Sequence, residues 1–104
     1  MGVTEEESYV FECIFSFSIM NAEGNWTLTD VNSTEVVISN DTTLPDGTVA
    51  NITLTNTVST TIYNLSLSNI QRKWNGSSIM CSLDEGGFIV SSSSATILVY
   101  CKLP

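Results

Sequence analysis

Two cysteines and a tryptophan, each set in an alternating apolar pattern, constrain this chain more than any other feature. Cys13 and Cys81 lie about seventy residues apart, and Trp26 follows the first cysteine by about a dozen. Around each of them apolar residues recur at every second position, which is the period of a β-strand. Because successive strand side chains point to opposite faces, all three side chains are predicted to point into an apolar interior.

The period of two continues along the chain and predicts strands throughout, with no helix of any length. The predicted inward-facing residues are Tyr9, Phe11, Cys13, Phe15, Phe17 and Ile19; Trp26 and Leu28; Ala50, Ile52 and Leu54; Tyr63, Leu65 and Leu67; Ile79, Cys81 and Leu83; and Ala95, Ile97 and Val99. Val36, Val37 and Ile38 predict a further short strand. The predicted fold class is an all-β, two-sheet antiparallel sandwich with Greek-key connections.

Turn residues separate these strands. Residues 21–25 predict one turn, and Pro45-Asp46-Gly47 predicts another within a loop over residues 40–47, because Pro presets φ and Gly accepts a positive φ. Residues 84–87 predict a hairpin turn. Ser91 to Ser94 is a short serine tract, which is typical of a flexible loop segment.

Composition limits the class of protein. The 104 residues suit one domain, residues 1–104, in which hydrophobic residues make up 42% and charged residues only 13%. Eleven acids against three bases give a net charge of -8, which repels phosphate backbones, so nucleic-acid binding is not expected. No apolar run has the length of a membrane span. We interpret Met1 and Gly2 as an artificial start on a piece of an extracellular protein.

A second pattern indicates an extracellular origin independently of the cysteines. Six acceptor sequons occur, at Asn25, Asn32, Asn40, Asn51, Asn64 and Asn75. Nine asparagines in this Ser/Thr-rich background would give roughly two or three by chance. A Ser/Thr-rich β protein can produce sequons freely, and this remains the alternative. The excess favours a glycoprotein in which sugars replace charge as the solubilising layer.

The chain resembles the immunoglobulin superfamily over nearly its whole length. The resemblance rests on Cys13, Trp26, the runs Leu65-Ser66-Leu67-Ser68-Asn69-Ile70 and Asn75-Gly76-Ser77-Ser78-Ile79-Met80-Cys81, and the closing strand Ala95-Thr96-Ile97-Leu98-Val99. The long stretch after Trp26 makes it more similar to the variable type than to the constant type. It departs from the family at Ile79, where a tyrosine is usual, at Trp74 and Asn75, and in a short first strand.

The resemblance implies a disulfide between Cys13 and Cys81 that joins the two sheets and packs against Trp26. Two facing thiols in a reduced protein are the alternative. This pairing leaves Cys101 without a partner. Three interpretations of it remain: a buried spare thiol, a disulfide partner for a following domain, or one half of an intermolecular bridge. We favour a disulfide bond between Cys101 and sequence beyond this chain, because residues 102–104 look like the start of an interdomain linker.

Enzymatic activity is not expected from these residues. There is no histidine to serve as a base, and the serines and threonines have no partner for activation. Three cysteines without histidine do not complete a zinc site, and the acids follow no calcium-ligand pattern. No catalytic residue, metal or cofactor is predicted.

Two noncatalytic functions follow from the resemblance. The first is a recognition or adhesion module of a cell-surface receptor, which binds a protein partner or a second copy of itself through Met80, Leu98 and Tyr100. We expect these residues to share the outer face of one sheet and to be helped by the hairpin loop 84–94, while Asn51 and Asn64 carry sugars on the other sheet. The second is a structural spacer in a multidomain ectodomain, in which Leu98 and Tyr100 only cover a neighbouring domain.

Overall fold

The computed structural model describes residues 2–16, 23–85, 88–91 and 95–101. Within these ranges the chain forms β-strands and one short 3-10 helix, Arg72–Trp74, which confirms the all-β fold class. The strands are β1 (Gly2–Thr4), β2 (Tyr9–Phe15), β3 (Glu23–Thr29), β4 (Glu35–Ile38), β5 (Thr42–Thr43), β6 (Val49–Asn56), β7 (Thr61–Ser68), β8 (Ser78–Glu85), β9 (Phe88–Ser91), β10 (Ala95–Thr96) and β11 (Leu98–Tyr100).

Two antiparallel sheets pack against each other as the sequence predicted. The first has the order β2-β7-β6-β5, and the second has the order β10-β8-β3-β4, with β9 also paired to β8. The chain crosses from one sheet to the other after β2, β4 and β7. In addition, β1 and β11 form a separate parallel pair.

The core lies between the sheets and consists of the residues with inward parity. Buried members of the predicted set are Phe11, Cys13, Phe15, Trp26, Leu28, Ala50, Tyr63, Leu65, Leu67, Ile79, Cys81, Leu83, Ile97 and Val99. Tyr9 and Leu54 have the predicted parity but are exposed. Phe17 and Ile19 lie outside the described residues.

A disulfide between Cys13 and Cys81 joins β2 to β8 and thus links the two sheets, as predicted. The two Cα atoms are 6.6 Å apart. Trp26 lies opposite Cys81 on β3, and Tyr63 lies opposite Cys13 on β7. The rings of Trp26 and Tyr63 have centroids 5.8 Å apart, so two aromatic side chains lie next to the disulfide at the centre of the core.

The turn before β6 has the predicted chemistry. The Gly47 N–H donates to the carbonyl of Leu44 at 2.9 Å, and Gly47 has a φ of 94°, a conformation that glycine adopts without strain. The prediction that residues 40–47 form only a loop is wrong in part, because Thr42 and Thr43 pair with β6 as the short strand β5.

Asp46 in this turn also anchors the connection between β7 and β8. One carboxylate oxygen accepts the Thr48 N–H at 3.0 Å, and the other accepts the indole N–H of buried Trp74 at 2.9 Å. The Lys73 ammonium lies 3.8 Å from the same carboxylate and 4.8 Å from the Trp74 ring centroid. Trp74 therefore ties the 3-10 helix to the β5–β6 turn.

Three short strands follow β8, and two of them, β10 and β11, occupy the predicted last strand. β9 pairs with β8 at Ser82–Ser91, whereas β10 pairs with it at Ile79–Ala95. Between these two pairs, Ile79 and Ser82 on β8 are three positions apart, whereas Ser91 and Ala95 are four positions apart. Relative to β8, the paired segment therefore has one extra residue between β9 and β10. One inserted residue shifts the parity of everything after it. Residues 92–94 of the serine tract lie outside the described residues.

Because Cys81 is in the disulfide and Cys101 is not, we expect their replacement to have different effects on stability. Cys81→Ser should lower the free energy of unfolding by about 4 kcal/mol, because the bridge closes a loop spanning a sequence separation of 68 residues. Cys101→Ser should change it by less than about 0.5 kcal/mol, because Cys101 is exposed. Urea denaturation followed by tryptophan fluorescence measures both, and equal losses would contradict the assignment.

The hydrogen bond from the Trp74 indole N–H to Asp46 predicts a second effect on stability. Asp46→Ala should lower the free energy of unfolding by about 2–3 kcal/mol, because it leaves the indole N–H buried without its charged acceptor. Asp30→Ala is the matched control, since Asp30 accepts two backbone N–H bonds within its own exposed loop. Its loss should cost about 1 kcal/mol or less in the same urea experiment. An equal loss of unfolding free energy in both variants would show that the hydrogen bond between Trp74 and Asp46 adds no stability.

Candidate binding surface

The predicted binding residues Leu98 and Tyr100 lie on β11, at its exposed face. Leu98 is 41% exposed and Tyr100 is 56% exposed, while Val99 between them is buried. β11 pairs in parallel with β1, so that Val3 lies opposite Val99 and is also buried. The small two-stranded sheet thus has an apolar inner side and presents two large apolar side chains on its outer side.

The Tyr100 ring is held against the backbone of Gly2. A Cβ atom added to Gly2 would lie 2.5 Å from Cε2 of Tyr100 and 2.9 Å from its hydroxyl oxygen. Glycine at this position therefore leaves room for the ring to lie over β1. An exposed aromatic ring that is already supported loses little conformational entropy when a partner covers it, which is favourable in a binding residue.

Met80, the third predicted binding residue, lies in a different sheet. It belongs to β8, is half-buried and pairs with Thr27, whereas β11 pairs with β1. The prediction that Met80, Leu98 and Tyr100 share one sheet is therefore wrong. Its physical reason is the interrupted last strand, since the chain bonds to β8 only as far as β10 and then continues along β1.

The predicted hairpin loop over residues 84–94 is much shorter in the structure. β8 extends to Glu85, and β9 begins at Phe88 and pairs with it. The hairpin is therefore confirmed, but its strands occupy much of the segment that was predicted to be a loop. Gly86 and Gly87 lie outside the described residues. Ile89 on β9 is exposed and lies opposite Asp84.

The sequon asparagines differ in exposure. Four are exposed: Asn32, Asn40, Asn51 and Asn75. Asn25 and Asn64 are half-buried. Asn25 pairs with Ser82, next to the Thr27–Met80 pair, so a sugar on Asn25 would lie beside Met80. Asn75 accepts the Val99 N–H through its side-chain oxygen at 2.9 Å, which leaves its nitrogen for a sugar.

The sheet that bears Asn51 and Asn64 also has exposed apolar residues. Val10 and Ile14 on the edge strand β2 are 55% and 60% exposed and have the same outward parity as Glu12. Exposed apolar residues therefore occur on this sheet as well as on β11. The signal was present in the sequence, because both residues alternate with the buried set Phe11, Cys13 and Phe15.

Cys101 follows β11 and is exposed as a free thiol. Of the three predictions for it, the buried spare thiol is therefore wrong. A bridge to a following domain and an intermolecular bridge remain predictions. The linker predicted at residues 102–104 lies outside the described residues.

Within the described ranges, no group of three or more His, Cys, Asp or Glu side chains is arranged to hold a metal ion. The same part of the chain has no helix with the length and apolar character needed to cross a bilayer. The charged contacts lie at the surface. Arg72 donates to both carboxylate oxygens of Glu5, at 2.8 and 3.3 Å, and this contact raises the pKa of Arg72.

The exposure of the sequons predicts a pattern of glycosylation. In a secretory eukaryotic host, Asn32, Asn40, Asn51 and Asn75 should carry sugar in nearly all molecules, and Asn25 and Asn64 in fewer, because their side chains are half-buried. Glycopeptide mass spectrometry, with enzymatic deglycosylation in isotopically labelled water, measures each site. A protein of unmodified mass would remove this support for an extracellular origin.

Comparison of the sequence with protein-family models and with curated proteins gives no match. What the chain binds is therefore inferred from its exposed side chains, their neighbours and the sequons.

Proposed function

We propose that this chain is an immunoglobulin-like recognition module of a glycosylated cell-surface protein, and that it binds a protein partner without catalysis. The observation that carries the proposal is the outer side of β11, where Leu98 and Tyr100 are exposed side by side and the Tyr100 ring is supported by Gly2. Aromatic side chains such as that of Tyr100 are enriched in protein interfaces.

The disulfide and the sequons support an extracellular location. Structural disulfides persist in oxidising compartments and are rare in the cytosol. The Cys13–Cys81 bridge crosses from one sheet to the other, as in immunoglobulin domains, and Trp26 lies beside it. The six sequons and the low fraction of charged residues agree with a surface that sugars keep in solution.

The second candidate function is a spacer between domains of a larger ectodomain. Exposed Val10 and Ile14 on the opposite sheet favour it, because apolar exposure on two faces suits a module that neighbours cover from both sides. Tyr100 favours recognition instead, because an exposed tyrosine is typical of binding surfaces. A patch of this size gives weak binding by one copy, and many copies on a cell surface would strengthen it.

The proposal predicts which face affects binding. Leu98→Asp and Tyr100→Asp should each reduce aggregation of beads coated with the protein, or staining of cells by its tetramers, at least about tenfold. Ile14→Asp is the matched control, an equally exposed apolar residue on the other sheet. Melting temperatures should change little for all three, because the replaced side chains are exposed.

Other outcomes separate the two candidates. Loss of binding with Ile14→Asp but not with the β11 variants would place the interface on the other sheet instead. Normal binding by all three variants, or no binding by the parent protein in either assay, would favour the spacer.

A further inference from the structure

The outer face of the first sheet carries a sequon asparagine among apolar side chains. Asn64 lies on β7, and its cross-strand partner on the edge strand β2 is Glu12. Val10 and Ile14, which are 55% and 60% exposed, lie on either side of Glu12 with the same outward parity. The diagonal neighbours of a residue in such a strand pair are about 7–8 Å away. Val10 and Ile14 are therefore both within reach of a group attached to Asn64.

A half-buried isoleucine extends this apolar area. Ile62 is the cross-strand partner of Ile14 and lies two positions before Asn64 on β7. On β6, the third strand of the sheet, Thr53 lies opposite Asn64 and Thr55 lies opposite Ile62. Apolar side chains thus surround Asn64 on the side of β2, and threonines border it on the side of β6.

The Asn64 side chain has its oxygen turned inward. This oxygen is buried and has no hydrogen-bond partner among the described protein atoms, so the accessible part of the half-buried side chain lies on the nitrogen side. An N-linked sugar is attached through this nitrogen, and Ser66 completes the sequon two positions later. The first sugar on Asn64 would therefore begin on the outer face, beside Glu12.

The chemistry of this sugar suits the side chains around Asn64. N-acetylglucosamine has apolar C–H groups on the faces of its ring and a methyl group on its N-acetyl arm, and both gain from removing Val10 and Ile14 from water. Its hydroxyl and amide N–H groups are donors, and the exposed carboxylate of Glu12 is an acceptor. Exposed apolar residues on an edge strand also invite pairing with other chains, which a sugar over this edge would hinder.

We propose that the first N-acetylglucosamine on Asn64 lies back over the outer face of the first sheet, packs on Val10 and Ile14, and donates a hydrogen bond to Glu12. This contact rests on the glycosylated surface of the proposed function, and it gives one sugar a structural role. Val10 and Ile14 then contact the protein's own sugar instead of a neighbouring domain. The sugar on Asn51 has no such seat, because Asn51 lies one strand further from β2.

The stability test compares molecules that differ only in their sugars. A secretory host given a low dose of tunicamycin, which blocks glycan assembly, occupies each sequon in part of the molecules, and endoglycosidase H trims high-mannose sugars to one N-acetylglucosamine. The mixture is heated with thermolysin, and mass spectrometry of the surviving protein gives a melting temperature for the occupied and the empty form of each site. Sugar on Asn64 should raise the melting temperature by about 4 °C, and sugar on Asn51 by about 1 °C or less.

The outcomes separate this contact from the glycosylated surface on which it rests. No rise for Asn64, or equal rises for Asn64 and Asn51, would overturn the contact and leave the proposed function standing. An Asn64 that carries no sugar while other sequons do would overturn the contact as well. A protein without sugar at any sequon would overturn the contact and the glycosylated surface together.

Variants test the apolar seat of the sugar. Val10→Thr/Ile14→Thr keeps residues that suit a strand and should reduce the rise caused by sugar on Asn64 to less than about half, because less apolar area is covered. Val37→Thr/Ile89→Thr is the matched control, a valine and an isoleucine that are 60% and 64% exposed on the second sheet. It should leave the rise unchanged within about 1 °C. An undiminished rise with Val10→Thr/Ile14→Thr, or equal reductions by the two pairs, would overturn the seat.

NMR of the trimmed protein locates the sugar directly and does not depend on stability. Nuclear Overhauser contacts should join the sugar on Asn64 to the methyl groups of Val10 and Ile14. Contacts to Thr53 and Thr55 alone would place the sugar over β6 and overturn the proposal, as would a sugar without contacts to the protein beyond Asn64.

Discussion

The bond between Cys13 and Cys81 determines how the two sheets of this small protein face each other. Each sheet has a limited apolar face, and the bridge joins the two faces beside Trp26 and Tyr63, which are the cross-strand partners of the two cysteines. The phenol end of Tyr63 also lies against Gly24 of β3, so this ring contacts the opposite sheet next to the bridge.

Parity along the sequence was enough to predict most of this core, since residues such as Leu65, Cys81 and Val99 are buried as their alternation requires. It was not enough for the last strand. After β10 the segment leaves β8, and the pairing of β11 with β1 joins residues from opposite ends of the chain. Local alternation contains no information about such distant pairing.

The orientation of single side chains was predictable from the sequence, but their neighbours from other strands were not. Tyr63 was predicted to point inward and does so, yet whether its hydroxyl finds a partner depends on neighbours from other strands. The opposition of Glu23 and Asp84 likewise follows from the register between β3 and β8, which the sequence of either strand alone does not determine. The exposed pair Leu98 and Tyr100 was predicted by parity, because each alternates with a buried neighbour.

The parallel pairing of β1 with β11 has a mechanical consequence. Tension along the chain would enter at Gly2 and leave at Tyr100, and would pull the two strands in opposite directions along their length. Their hydrogen bonds would then be loaded in shear and would have to break together, which resists force better than opening one bond at a time. After such a rupture the disulfide would still prevent the segment between Cys13 and Cys81 from extending. A force across this protein would thus release only the short segments outside the bridge.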